Sequence, residues 1–365
     1  MKGNLAMDMT LNSVRRAQFD MNDILRRAQG DVFGAFGLDP SECAYRVIMS
    51  RPHWRLRDYG GDENQSRSLL IVAAPIKRPY IWDLTPSTSA VRYCLRQNIH
   101  VQLLEWMPAS SKAGNNGLEE YLLAISEALV TSKVAPGGKP YLIGHSLGGT
   151  LAAIYAAFLP ETIKGLVLLD APLCFEPSES QFRDALVTLV PQQISESDPF
   201  PGSLLSHASA LASPQTFIWS RLMDAAMSIT DPIALEIHAR VERWALDEVP
   251  LPGKLVHQIV DWLYRENRFC RGMLQIGNKF IGPPSMTAPT LAVVNTADDV
   301  APLASLKPFT DAMATKVRII EYPGELGVCL QHLGILVGRH ARARVWPEIL
   351  SWLKSPGHRG RDSTV

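Results

Sequence analysis

Cysteine is sparse in this chain, and its placement is unhelpful to any covalent scaffold. The 365 residues hold five cysteines, Cys43, Cys94, Cys174, Cys270 and Cys329, an odd and scattered set. Such a set predicts neither a disulfide framework nor a metal knuckle, and a reducing, cytoplasmic setting is the simplest expectation. Net charge is also missing. The 36 Lys and Arg balance 36 Asp and Glu, so no global field favours nucleic acid. A chain with no net charge is prone to associate with itself or with a partner. No apolar run reaches the roughly 18 residues of a membrane span, and no continuous apolar stretch near the N-terminus predicts a signal peptide. The motifs G-x-G-x-x-G, G-x-x-x-x-G-K-[ST] and H-E-x-x-H are absent, leaving dinucleotide, P-loop and zincin readings without support. No metal or organic cofactor is expected. Glycine and proline follow no repeat, which excludes collagen-like and low-complexity chains.

What is present is an alternation of strands and helices. Residues 1–37 predict an amphipathic helix, with Val14, Ala17, Met21, Ile24 and Ala28 on one stripe among arginines. Packing on the body is the plain expectation for that stripe, and a partner-binding or surface-binding arm is the alternative. Strands are predicted at 69–74, 99–106, 140–143 and 165–169, with helices at 89–97, 118–132 and 150–158 and a Gly/Asn turn at 114–117. Fully apolar strands separated by helices predict a parallel sheet covered on both faces. From 174 to 285 the pattern turns helical with no convincing strand. More than a hundred residues exceed any structureless loop, so they are expected to form an inserted cap. The sheet resumes at 290–295 and 316–321, and a last helix runs over 345–354. The expected organisation is an N-terminal helical segment at 1–37, a core in two parts at 38–173 and 286–355, a cap at 174–285 and a frayed tail at 356–365.

Gly144-His145-Ser146-Leu147-Gly148-Gly149 concentrates the chemistry. It matches the G-x-S-x-G nucleophile elbow and lies between an apolar strand and a helix, the context that motif requires. Glycines flank the serine because side chains there would collide with backbone in a strained turn. The helix N-terminus favours developing negative charge, and the Leu147 amide is the expected first oxyanion donor. A serine hydroxyl needs a base, and the base an orienting carboxylate, in the chain order Ser, Asp, His. Asp298, with Asp299 in reserve, follows the strand at 290–295, and His332 follows the strand at 316–321. His145, Cys174 and Cys329 are read as structural, and the cap histidines His207, His238 and His257 as surface residues. An acidic nucleophile, as epoxide hydrolases and haloalkane dehalogenases require, is excluded by Ser146.

With those residues in place, the chain resembles the polyhydroxyalkanoate synthase family, most closely its shorter class. The resemblance covers about residues 40–355. It rests on the run from Leu69 to Leu84, ending Tyr80-Ile81-Trp82-Asp83-Leu84, and on Glu242-Arg243-Trp244 with Val249-Pro250-Leu251-Pro252-Gly253. Trp262 to Asn267, His332-Leu333-Gly334 and Val345-Trp346-Pro347 complete it. The resemblance implies an α/β-hydrolase fold: a mostly parallel central sheet flanked by helices, with an inserted helical cap. It also implies hydroxyacyl-CoA substrates, a homodimer or partner subunit, and a second oxyanion donor at the Ile76 amide. Two positions depart from the family. Ser146 stands where the synthases carry a cysteine, and Gln331 where they usually carry glycine. A serine ester exchanges less readily with thioesters than a thiolate does, so hydrolysis or acyl transfer is expected ahead of polymerisation. A non-catalytic acyl-binding or partner-binding scaffold is the alternative from another class.

Overall fold

The computed structural model describes residues 2–60, 67–109, 115–132, 138–190 and 195–355, with side chains from residue 17 onward. The expected turn at 114–117 lies partly outside these residues, and the tail at 356–365 wholly so. Eight strands form one sheet: β1 Arg46–Arg51, β2 Trp54–Asp58, β3 Ser68–Val72, β4 His100–Trp106, β5 Tyr141–His145, β6 Gly165–Leu169, β7 Thr290–Asn295 and β8 Val317–Tyr322. Their spatial order is β1-β2-β4-β3-β5-β6-β7-β8. From β4 to β8 neighbouring strands run parallel, whereas β1, β2 and β4 pair antiparallel.

Strand periodicity divides the core between the two sheet faces. Leu70, Val72, Leu142, Leu166 and Leu168 point to one side, against the helices Leu118–Thr131 and Leu147–Phe158. Leu69, Ile71, Ile143, Val167 and Leu169 point to the other, against Val91, Ile335, Trp346 and Trp352. Apolar residues at both parities are what a doubly covered parallel strand requires. The hairpin β1–β2 is absent from the sequence expectations. Its run of Arg46, Arg51, Arg55 and Arg57 hides it, because this edge is polar and partly charged. Arg57 and Glu105 are both buried there and hydrogen-bond at 2.5 Å.

Between β6 and β7 the chain is mainly helical, including Gly202–Ala212, Ser220–Ser228 and Pro232–Ala245. Two short antiparallel pairs, Pro199–Phe200 with Leu251–Pro252 and Leu274–Ile276 with Lys279–Ile281, correct the expectation of no strand. Their two or three residues are too short to leave an alternating signal. Leu186, Val190, Phe200, Leu251, Val256 and Val260 give this segment an apolar core of its own. Cys174 and Cys270 are joined by a disulfide across 96 residues of sequence. The scattered cysteines predicted no disulfide framework, and this single bond removes the argument from cysteine usage for a reducing compartment.

The N-terminal helix Lys2–Phe33 forms, but its expected apolar stripe faces outward from Ala17 to Ala28. Met21 and Ile24 are 55% and 56% exposed. Polar groups do the anchoring. Asp23 is buried and accepts the Ser203 amide at 2.8 Å, in the first turn of Gly202–Ala212, where free N–H groups favour an anion. Arg26 pairs with Glu248 at 2.8 Å. Those two interactions choose which face turns inward, and a count of apolar residues does not register them. Among the described residues no helix is long and apolar enough to cross a membrane.

Candidate active site

Strand β5 ends at His145, and the helix Leu147–Phe158 starts one residue after Ser146. The serine alone makes the turn, at φ 54° and ψ −132°, in left-handed space unusual for a residue with a side chain. Its amide donates to the Leu169 carbonyl of β6 at 3.0 Å, and its own carbonyl accepts the Thr150 amide at 3.0 Å. The neighbouring glycines are required by contact. A Cβ on Gly144 would stand 2.6 Å from the Gly148 backbone, and one on Gly149 2.5 Å from the Ala171 Cβ. A Cβ on Gly148 would overlap the Val72 carbonyl oxygen, so that glycine lets the helix start close to the end of β3.

Asp298 sits in the loop after β7 and is 3% exposed. Its carboxylate accepts the Val300 amide at 2.9 Å, the Ala301 amide at 3.2 Å and His332 Nδ1 at 2.6 Å. Asp299 is exposed and accepts the Thr216 hydroxyl at 3.3 Å instead. The geometry therefore pairs His332 with the first carboxylate and sends the second toward the cap. With Nδ1 engaged, the remaining ring nitrogen of His332 is available for a substrate-side proton.

Ser146, Leu147, His332 and Ile76 all line one chamber of about 460 Å³. Phe182, Leu205, Phe217, Trp244 and Leu251 of the 174–285 segment line it as well, which places that segment over the serine. The Ile76 carbonyl accepts the Val249 amide at 3.3 Å, tying the β3 loop to the cap. Lys77, next in sequence, donates to the Ala245 carbonyl and to Glu248 at 3.2 Å. Burial draws the Lys77 ammonium down to about 8 despite Glu248.

Several residues read as structural or superficial stand close to this chemistry. His145 is buried with its ring 4.7 Å from that of His332, and Nε2 lies 2.7 Å from the His332 carbonyl. Burial and the nearby His332 push its pKa down to about 3, so it is neutral and donates through Nε2 to that carbonyl. His238 is buried rather than superficial, with Nδ1 2.8 Å from Asp224. Asp224 also accepts the Gly327 amide at 2.7 Å and the Cys329 amide at 2.8 Å. A cap helix thus grips the loop that carries His332, three residues further on. Cys329 lines the chamber, but burial and Glu242 push its thiol well above the ordinary range, which keeps it protonated and non-nucleophilic. Nothing in the sequence pattern links Asp224 to position 329.

Two groups among the described residues bring three potential metal donors within 4.8 Å: His145, Asp170 and His332, and His238, Glu242 and Cys329. Protein partners already engage them. His332 Nδ1 holds Asp298, His145 holds a carbonyl, and the Arg221 guanidinium is bound to Glu242.

A family profile described as alpha/beta hydrolase fold matches residues 135–323, more than half of the chain. The poly(3-hydroxyalkanoate) polymerase subunit PhaC of Haloferax mediterranei is 26% identical over 344 residues, covering 90% of this chain and 66% of that protein. The chain therefore spans about two thirds of that relative's length. The protein of the same name from Allochromatium vinosum is 23% identical over 326 residues, covering 87% of this chain and 89% of its own. In fold the chain is similar to a monoacylglycerol lipase of Paleococcus ferrophilus, at 16% identity and TM-score 0.51, covering 82% of this chain and 98% of that one.

Proposed function

The chain belongs to the α/β-hydrolase-fold family, and from that premise we propose that it transfers acyl groups through an ester on Ser146. The substrate class we propose is a hydroxyacyl ester or thioester, such as a hydroxyacyl-CoA. One observation carries the reading: a serine in a strained turn and a histidine backed by a buried aspartate line one apolar chamber beneath the cap. In the proposed sequence His332 takes the Ser146 proton as Oγ attacks the carbonyl carbon. The Leu147 amide, at the helix N-terminus, and the Ile76 amide hold the oxyanion. Asp298 fixes the His332 tautomer and stabilises the imidazolium. The imidazolium then protonates the leaving alcohol or thiol, and water or another acceptor removes the acyl group from Ser146.

The apolar lining suits an acyl chain, and the relatives named polymerase subunits support hydroxyacyl thioesters as its source. The same similarity favours a second reading, in which the acceptor is the hydroxyl end of a growing chain. The outward Met21 and Ile24, with zero net charge, support association with a second copy or a partner subunit. A fluorophosphonate probe tests nucleophilicity, and product analysis with short 3-hydroxyacyl-CoA tests the acceptor. Covalent labelling that Ser146→Ala abolishes, with free acid as the product, is the expected result. Long polymer would move the second reading to first place. Absence of labelling in folded protein would favour a scaffold.

A further inference from the structure

Asp170 follows β6 directly and lies near the same histidine. It is one of the few non-glycine residues at positive φ, 41°, and it is 1% exposed. One carboxyl oxygen, Oδ1, accepts the Asn295 amide at 2.6 Å. The other, Oδ2, is buried with no hydrogen-bond partner. Polar atoms of Asp170, His145 and His332 lie within 4.8 Å of one another. A bare carboxyl oxygen in a dry interior is costly, and native proteins retain few of them. The carboxyl that carries it belongs to the group of residues that includes the proposed base.

We propose that Asp170 is a second positioning carboxyl for His332, held in reserve as a neutral acid while Asp298 carries the charge. The inference rests on the acyl-transfer reading of Ser146 and His332. Only one of the two carboxyls is equipped to be ionised. Asp298 accepts three hydrogen bonds, two of them from backbone amides, whereas Asp170 accepts one. Burial, then the Asp298 charge, hold the Asp170 carboxyl well above the ordinary range, against the pull of the Asn295 amide. The other titratable groups around it are His145, neutral at ordinary pH, His332 and Tyr322, whose hydroxyl donates to Glu325. No fixed cation among them balances a second carboxylate. Once Asp298 is made neutral, the repulsion is gone. Burial still holds the Asp170 carboxyl above the ordinary range, so it gives up its proton to solvent only as pH rises, and its carboxylate then stabilises the imidazolium formed when His332 takes the Ser146 proton.

A double-mutant cycle of Asp298→Asn and Asp170→Asn tests this, read in kcat for an activated ester. In the serine-protease precedent, losing the orienting aspartate costs about 10⁴ in kcat. Here Asp298→Asn is expected to cost only about 10², mostly in kcat. Adding Asp170→Asn to that variant removes roughly a further 10², against a few-fold loss for Asp170→Asn in the wild type. The pH profile supplies a readout that packing does not move. In Asp298→Asn, kcat carries a titration step from Asp170 on top of the rise with pH that any histidine-base mechanism shows, and only that extra step is absent from the double variant. Additive effects, or Asp298→Asn and double-variant profiles of the same shape, would overturn the proposal. Circular dichroism and thermal unfolding separate loss of fold, and Asp170→Ser provides a second neutral variant. Failure of the parent reading is distinguishable: there, Ser146→Ala would keep the activity on which the whole cycle is measured.

Discussion

Removing the Asp224 carboxylate should loosen the cap and the catalytic loop together. The residue is 5% exposed and satisfies three donors: the Gly327 and Cys329 amides and His238 Nδ1. Asp224→Ala leaves all three without their acceptor. Each buried donor left unpaired costs about 1–3 kcal/mol, so a total of about 3–6 kcal/mol follows if water reaches them only partly. Unfolding entropy of about 2.1 cal/mol/K per residue gives about 0.8 kcal/mol/K for a chain of this length, which turns that loss into a Tm lower by roughly 4–8 °C. His332 lies three residues beyond Cys329, and a displacement near 1 Å at a catalytic group costs about 10² in rate. The expected phenotype is therefore a lower Tm with kcat reduced ten- to a hundredfold and KM little changed. Asp224→Asn keeps one acceptor oxygen and should fall between. Acid adds a second check. Burial raises the Asp224 pKa, but hydrogen bonds from His238 and the two amides outweigh it and hold the pKa below the ordinary value. A depressed carboxyl contributes stability above its unfolded pKa, about 3.9, and loses it as pH falls through the folded value. The gap in Tm between wild type and variant should thus be constant from pH 7 to 5 and close only in strong acid. An Asp224→Ala protein with wild-type Tm and wild-type kcat would refute the reasoning.

Other expectations follow from single contacts. Asp298→Asn should reduce kcat by far more than Asp299→Asn, since only the first carboxylate touches His332; equal losses in ester-hydrolysis assays would undo that assignment. Reduction of Cys174–Cys270, which closes 96 residues, should destabilise the fold by up to about 4–5 kcal/mol on the chain-entropy account, and thermal unfolding of Cys174→Ser measures it. Unchanged unfolding with and without reductant would show that the bond constrains nothing. Ser146→Cys should lose activity on oxygen esters and keep exchange with hydroxyacyl-CoA, because His332 and the helix N-terminus favour a thiolate. Retained oxygen-ester turnover in that variant would contradict this.

The central strands were legible because each is apolar at both parities, as in Leu69 to Val72, and the elbow because its glycines are forced by contacts with neighbouring backbone. The order of Ser146, Asp298 and His332 along the chain also announced itself, since each follows a strand that ends at the same edge of the sheet. Other features depend on partners remote in sequence. Asp23 selects the inward face of the N-terminal helix through Ser203, 180 residues away. Asp224 reaches Cys329 across 105 residues, and Asp170 reaches Asn295 across 125. Cys174 and Cys270 paired although their spacing resembles no framework. Local periodicity reports burial along one element. It does not report which polar group meets which, and those pairings decide how the histidine is held.

An acyl-enzyme on Ser146 is tested most directly by rapid quenching of the enzyme with 3-hydroxybutyryl-CoA, followed by proteolysis and mass spectrometry. A hydroxyacyl adduct is expected on the peptide containing Gly144 to Gly149, localised to Ser146 and missing from Ser146→Ala, which should also lose turnover. Steady turnover by Ser146→Ala, or an adduct on any other residue, would contradict it.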